Sequence, residues 1–210
     1  MTTCLIVLAL AASLHAQEPR LEKVSTAPEG LAPSISSALA SEGVRFSDGK
    51  VIAELWFRKE IPLKESAGGG MSLSFGKLTI GTVVGVVKLS APWSDYKNQP
   101  IQPGVYTLRY GAQPTDGNHM GVSEYRDFLL LVAASEDKEL ETAYTLDKLV
   151  PLSFSASRTA HPAVLSLFPV RKEVAGFELS RNDLGQWMVA IRVGSFTLGL
   201  ILVGHGEVEG

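Results

Sequence analysis

Residues 44–57, VRFSDGKVIAELWF, decide the fold class of this chain, because they read as two alternating runs joined by Asp48-Gly49. Asp-Gly between such runs is the strongest short-range signal for a β-hairpin, since a type I′ turn needs positive φ at both central residues. Successive side chains of a strand point to opposite faces. In the second run, one face is therefore apolar and is made of Val51, Ala53, Leu55 and Phe57.

Strand signals continue along the rest of the chain. The run at 127–134, DFLLLVAA, is continuously apolar and predicts a central strand with both faces buried. Gly194-Ser195 separates two further runs and predicts a second tight hairpin. Other short runs with turn residues between them lie at 77–90, 105–110, 163–170 and 176–180.

This pattern predicts an all-β fold, an antiparallel β-sandwich of about eight or nine strands within a single domain over residues 42–210. An α/β enzyme would need helical stretches of about 10–15 residues between its strands, and the sequence does not show them. We expect one short helix within 135–150. The acidic run at 136–141 is typical of a solvated face.

Composition excludes some classes of protein. The chain has 210 residues, of which 45% are hydrophobic and 20% charged, and its net charge is −3. A disordered chain would carry less apolar content and more net charge. The small negative charge argues against a basic surface for nucleic acid. No phosphate loop or dinucleotide fingerprint is present, and we predict no cofactor.

The N-terminal sequence predicts export. Residues 4–14 form an uncharged apolar run of 11 residues, which is too short to span a bilayer but suits the core of a secretory signal. We interpret 1–16 as a signal peptide and 17–41 as a mobile leader. The mature protein would then be secreted or periplasmic, with no integral membrane segment. Cys4 is the one cysteine of the chain, so the mature protein would have no disulfide.

A motif at 101–108, IQPGVYTL, is typical of secreted β-rich proteins. Its P-G-x-Y-x-L pattern resembles the hairpin of carboxypeptidase-regulatory and prealbumin-like modules. Together with the aromatic-x-R segment at 56–59, it also resembles an uncharacterised secreted bacterial family, a domain of unknown function. The resemblance covers residues 42–110. It implies a secreted β-sandwich and supplies no catalytic residue.

The polar segment at 113–127, QPTDGNHMGVSEYRD, is the first candidate for a ligand site, because loops on rigid β scaffolds often carry binding residues. His119 and Met120 offer the imidazole and thioether that copper accepts, with His161 and His205 as possible further ligands. No two histidines have a standard metal-ligand spacing, and a purely structural turn is the alternative. The candidate ligand-binding residues are Asp116, Asn118, His119, Glu124 and Asp127.

Aromatic residues offer another candidate. Trp93 and Tyr96 lie in one loop with Asp95 and Asn98, a mixture of stacking and polar groups that suits carbohydrate. The alternative is that Trp93 packs against the sheet, since aromatic side chains dominate protein cores.

The sequence therefore favours an exported, non-enzymatic binding or structural module of the bacterial envelope. Its partner would be a small molecule or another envelope component. One alternative is a periplasmic copper-type metal-binding protein or metal-dependent enzyme that uses His119. Another is a carbohydrate-binding module that uses Trp93 and Tyr96.

Export makes a direct prediction about the mature chain. N-terminal sequencing of the protein from the periplasm or medium should begin at Gln17, because cleavage after Ala16 removes the apolar run. Secreted material that begins at Met1 would contradict it.

Overall fold

The structure is a computed structural model that describes residues 18–49, 52–65, 75–95, 97–114, 123, 125–142, 144–170, 172–194 and 196–204. The predicted signal peptide, 1–16, lies outside these residues. The described strands are β1 (Arg20–Val24), β2 (Gly43–Ser47), β3 (Ile52–Phe57), β4 (Val83–Leu89), β5 (Trp93–Ser94), β6 (Pro100–Ile101), β7 (Gly104–Ala112), β8 (Asp127–Ala133), β9 (Val164–Phe168), β10 (Phe177–Arg181), β11 (Trp187–Val193) and β12 (Phe196–Val203). The helices are α1 (Pro33–Ala38), α2 (Leu146–Leu152) and α3 (Phe154–Ser157).

Ten strands form one antiparallel sheet in the order β1-β2-β3-β4-β7-β8-β9-β12-β11-β10, and β5 and β6 form a small separate pair. The end strands β1 and β10 approach each other to within 8 Å between Cα atoms, so the sheet is nearly closed and barrel-like. The all-β prediction is confirmed, whereas the sandwich is wrong. One continuous sheet curls around the core, so its own inner face supplies both walls that two separate sheets would have provided.

Both predicted hairpins are present. In the second, Val193 pairs with Phe196, so two residues connect the strands, and Gly194 has a φ of 55°. In the first, the last pair of residues that the structure describes is Ser47 with Ile52, so Asp48-Gly49 lies between the two strands. Gly49 has a φ of 84°, which a residue without Cβ adopts at no steric cost.

The predicted central strand is β8, which pairs with β7 on one side and β9 on the other. Leu129 and Leu131 face the main core inside the sheet. Phe128 and Leu130 face outward and pack with Leu149 of α2. Burial on both faces explains the continuously apolar sequence of this strand.

The part of the chain that the structure describes has three short helices where one was predicted, and α2 begins within the range 135–150 expected for that helix and ends at Leu152. Among the residues described, the helices are all too short to cross a membrane.

The segment predicted as a mobile leader, 17–41, is part of the folded domain from residue 20 onward, so that expectation is corrected. Its strand β1 pairs along its whole length with β2. Ile35 of α1 is fully buried. Leu39 packs with Trp56 and Val86 on the outer face of the sheet. These apolar contacts hold the segment against the sheet.

The P-G-x-Y-x-L motif has an architectural role. Gly104 begins β7, and the Tyr106 ring is part of the main core. The Tyr106 hydroxyl donates a hydrogen bond to the Gln102 carbonyl oxygen at 2.8 Å, which ties the strand to the loop before it.

A buried ion pair joins β7 to the acidic segment that follows β8. The side chains of Arg109 and Asp137 are 0% and 1% exposed. The Arg109 Nε and Nη2 donate to the two oxygens of Asp137 at 2.7 Å each, and Nη1 donates to the Gly81 carbonyl at 2.5 Å. The Arg109 guanidinium also lies 4.8 Å from the centre of the Tyr144 ring. The prediction that 136–141 is a wholly solvated face is therefore wrong at Asp137.

Asp137→Ala should lower the free energy of unfolding by about 3–5 kcal/mol, because it leaves the Arg109 charge buried without its partner. Urea unfolding followed by circular dichroism measures the loss. Glu139→Ala is the matched control, since it removes an exposed carboxylate from the same segment and keeps the backbone carbonyl that accepts from Arg109. We expect it to change stability by less than about 0.5 kcal/mol. Equal effects of the two changes would contradict the special role of the buried pair.

Candidate functional site

Most of the polar residues chosen from the sequence lie outside the described residues. These are Tyr96, Asp116, Asn118, His119 and Glu124. The copper-type site at His119 therefore stays a prediction. Within the residues that the structure describes, no group of three or more His, Cys, Asp or Glu side chains could hold a metal ion.

Asp127 is among the residues that the structure describes. It is buried, which corrects the prediction that its side chain is open to a ligand. It is 5% exposed at the start of β8, and its carboxylate accepts a hydrogen bond from the Tyr110 hydroxyl at 2.5 Å. Burial raises the pKa of Tyr110 well above its ordinary value, and the hydrogen bond and charge of Asp127 raise it further. The pair is an internal contact at one end of the core.

Trp93 is also buried, which corrects the prediction that its ring stacks against carbohydrate. Its side chain belongs to the main core, with 4% exposure, and its ring has no open face for a sugar. The neighbouring Asp95 is committed to a turn, because its carboxylate accepts from the backbone N–H groups of Lys97 at 2.9 Å and Gln99 at 3.0 Å. Burial raises the pKa of Asp95 despite these bonds.

The outer face of the sheet carries an apolar groove of about 510 Å³ across β9, β12, β11 and β10. Sequence reasoning did not identify it. Its floor is the sheet, and the chain that leaves β9 forms one wall. The lining residues are Phe168, Pro169, Val170, Lys172, Ser180, Met188, Ala190 and Gly199.

Small side chains in one cross-strand row create the groove. Ala190 pairs with Gly199, and Gly199 pairs with Phe168 on the next strand. These residues point outward, because the alternate residues of both strands fill the core. A methyl group and a hydrogen atom leave space where larger side chains would cover the sheet.

Gly199 also lets the chain after β9 approach the sheet closely. A Cβ at this position would lie 2.4 Å from the Phe168 carbonyl oxygen and 2.6 Å from the Cγ2 of Val170. Any side chain would therefore push this wall of the groove outward.

Ionic contacts surround this apolar surface. Lys172 on the wall forms an ion pair with Glu178 of β10. Arg192 of β11 and Glu173 form another, at 3.2 Å. The groove thus has an apolar floor and charged residues at its rim, a combination of apolar and polar groups that is common in ligand sites.

One signal in the sequence could have indicated the groove. In the hairpin predicted at Gly194-Ser195, Val193 pairs with Phe196. Counting back three residues on one strand and forward three on the other places Ala190 opposite Gly199. Two very small residues opposite each other on a central strand pair predict a depression in the sheet. The wall formed after β9 could not be predicted, because it depends on the path of a loop.

Comparison with known protein families, curated proteins and solved structures finds no match to this chain.

The buried Tyr110 hydroxyl predicts a loss of stability at alkaline pH. Below about pH 10 the tyrosine is neutral in both states, so its contribution is fully present. Above that pH the unfolded chain loses the proton while the folded protein keeps it, so the free energy of unfolding falls as the pH rises. Tyr110→Phe removes this effect.

We expect the stability advantage of the natural protein over Tyr110→Phe to shrink by about 1.4 kcal/mol between pH 9 and pH 11. Urea unfolding of both proteins at the two pH values measures the difference. An advantage that stays constant over this range would contradict a raised Tyr110 pKa.

Proposed function

We propose that this protein is an exported, non-enzymatic binding module that holds a small apolar molecule in the groove formed by β9 to β12. The observation that supports it is the groove itself, with its volume of about 510 Å³. Small-molecule sites in proteins commonly have volumes of about 300–1,000 Å³ and mostly apolar linings. Export rests on the apolar run at 4–14.

The lining determines the class of ligand. Phe168, Pro169, Val170, Met188 and Ala190 present carbon and sulfur, so burial of apolar area would drive binding at about 25 cal/mol per Å². The Met188 side chain is unbranched and can adjust to ligands of different shape. The Ser180 hydroxyl and the Lys172 ammonium can orient a polar end of the molecule.

A binding role also agrees with the internal hydrogen bonds of the buried carboxylate and hydroxyl groups. The carboxylates of Asp137 and Asp127 are bonded to Arg109 and to the Tyr110 hydroxyl, respectively. The Ser157 hydroxyl donates to the carbonyl oxygen of His161 at 2.6 Å. These groups are engaged in holding the fold together, and none of them lines the groove.

Ala190→Phe should reduce the affinity for N-phenyl-1-naphthylamine, a neutral apolar probe, at least tenfold, because the new ring fills the groove floor. Fluorescence titration measures the dissociation constant. Ser180→Phe narrows the groove from β10, where the residue is only partly buried, and should have the same effect.

Thr197→Phe is the matched control, since residue 197 lies on the same strand and the same face as Gly199 but does not line the groove. We expect its affinity to stay within about twofold of the natural protein. If both groove variants are folded and bind the probe as the natural protein does, the proposal is wrong. An equal loss of affinity in Thr197→Phe would also overturn it.

A further inference from the structure

A second concavity lies on the opposite part of the outer face. It has a volume of about 750 Å³ and lies between the segment at 23–29, which we call the N-terminal strap, and the strands β2, β3, β4 and β7. In contrast to the apolar groove, it carries charged groups. Residues 23–29 form one wall, and Arg45, Glu54, Lys88 and Val105 form the floor.

The floor of this cleft is a ladder of alternating charge. Glu22 pairs with Arg45, Arg45 with Glu54, and Glu54 with Lys88 across four neighbouring strands. The ladder ends where Lys88 pairs with Val105 on β7. Lys88 is therefore the last charge of the row, with an acidic neighbour on one side and an apolar one on the other.

Glu54 is shared between two cations. Its side chain is 10% exposed, and one of its oxygens accepts from the Nε and Nη2 of Arg45 at 2.8 and 2.5 Å. The Lys88 Nζ lies 3.4 Å from the other oxygen. The Arg45 guanidinium also lies 3.9 Å from a carboxylate oxygen of Glu22, so the four charges of the ladder balance, and Lys88 at its end shares Glu54 with Arg45.

Lys88 has donor capacity left for a ligand. An ammonium group has three donors, and its contact to Glu54 is long for a hydrogen bond between charged groups. The Lys88 side chain is 45% exposed. Ser25 and Thr26 bring two hydroxyl groups to the same cleft, whereas Val24 and Ala27 bring apolar surface.

We propose that this cleft binds a small amphipathic molecule through a carboxylate or phosphate group. Lys88 holds the acidic group, and the hydroxyls of Ser25 and Thr26 donate hydrogen bonds to it. The apolar part of the molecule packs against Val24 and Ala27. Glu29 lines the cleft as well, and the other two basic residues there, Lys23 and Arg45, are ion-paired with carboxylates, so Lys88 supplies the cation for the acidic group.

The site is tested with phenyl phosphate and benzoate, which share a ring and differ in the acidic group. Benzyl alcohol is the neutral control. Titrations of the full mature chain at low ionic strength, followed by amide chemical shifts, should saturate with at least one anion and shift Ser25, Thr26, Glu54 and Lys88. The preferred anion identifies which acidic group the cleft accepts.

Three variants examine the role of charge. Lys88→Met keeps the length of the side chain and should weaken anion binding at least tenfold. Lys148→Met is the matched control, because it removes an exposed lysine of α2 that lines neither concavity, and it should change affinity less than twofold. Glu54→Gln removes the competing negative charge and should strengthen binding at least threefold, which a purely structural role of Glu54 would not produce.

The amide spectrum of each variant shows whether it is folded. The proposal is wrong if neither anion saturates, if benzyl alcohol binds as tightly as the anions, or if folded Lys88→Met binds like the natural protein. Weaker binding by folded Glu54→Gln would also overturn it. Lys88→Met and the natural protein should bind the neutral naphthylamine probe with the same affinity. The anion titrations therefore test this proposal separately from the proposed function of the apolar groove.

Discussion

The bidentate contact between Arg109 and Asp137 is the interaction on which the outer layer of the molecule depends. It attaches the segment after β8 to the outer face of β7. Arg109 also binds the carbonyl of Gly81, so the chain before β4 is drawn into the same contact. A buried ion pair adds little net stability compared with apolar packing, but the loss of one partner is costly. The pair therefore acts mainly to select one position for this segment.

A second ion pair holds the same segment less completely. The Arg58 Nη2 donates to Glu141 at 2.9 Å, and Glu141 is 65% exposed. The Nε and Nη1 of Arg58 and the Nε1 of Trp56 are buried and have no hydrogen-bond partner among the described residues. The segment after β8 is thus held by three side-chain nitrogens at Arg109 and by one at Arg58, which follows β3.

Local signals in the sequence were enough to predict the hairpins, the strand β8 and the all-β class. These features depend on neighbouring residues, such as Asp48-Gly49, or on a continuous apolar run. The closure of the sheet could not be predicted in the same way, because β1 and β10 approach each other although 153 residues of sequence separation lie between Val24 and Phe177. Asp137 shows the same limit, since a carboxylate in an acidic run is normally solvated and its burial depends on Arg109, 28 residues earlier. The composition of 17–41 suggested a leader, but the pairing of β1 with β2 and the burial of Ile35 and Leu39 make it part of the domain.

The interior of the sheet explains why both proposed sites lie outside it. The space inside a closed sheet grows with the number of strands, and a sheet of about eight strands is already wide enough to be filled by side chains. Here ten strands enclose the core, and large aromatic side chains occupy the additional space, including those of Phe46, Phe57, Phe75 and Tyr110. Both sites that we propose therefore lie on the outer face. The helix α2 and the chain around α1 cover parts of that face. The two concavities lie where the chain after β9 and residues 23–29 cross the sheet, next to small residues in the first case and charged residues in the second. At Gly199 the concavity is apolar, and at Lys88 it is lined by charged residues of both signs. The residues that point away from the core thus determine the chemistry of each concavity.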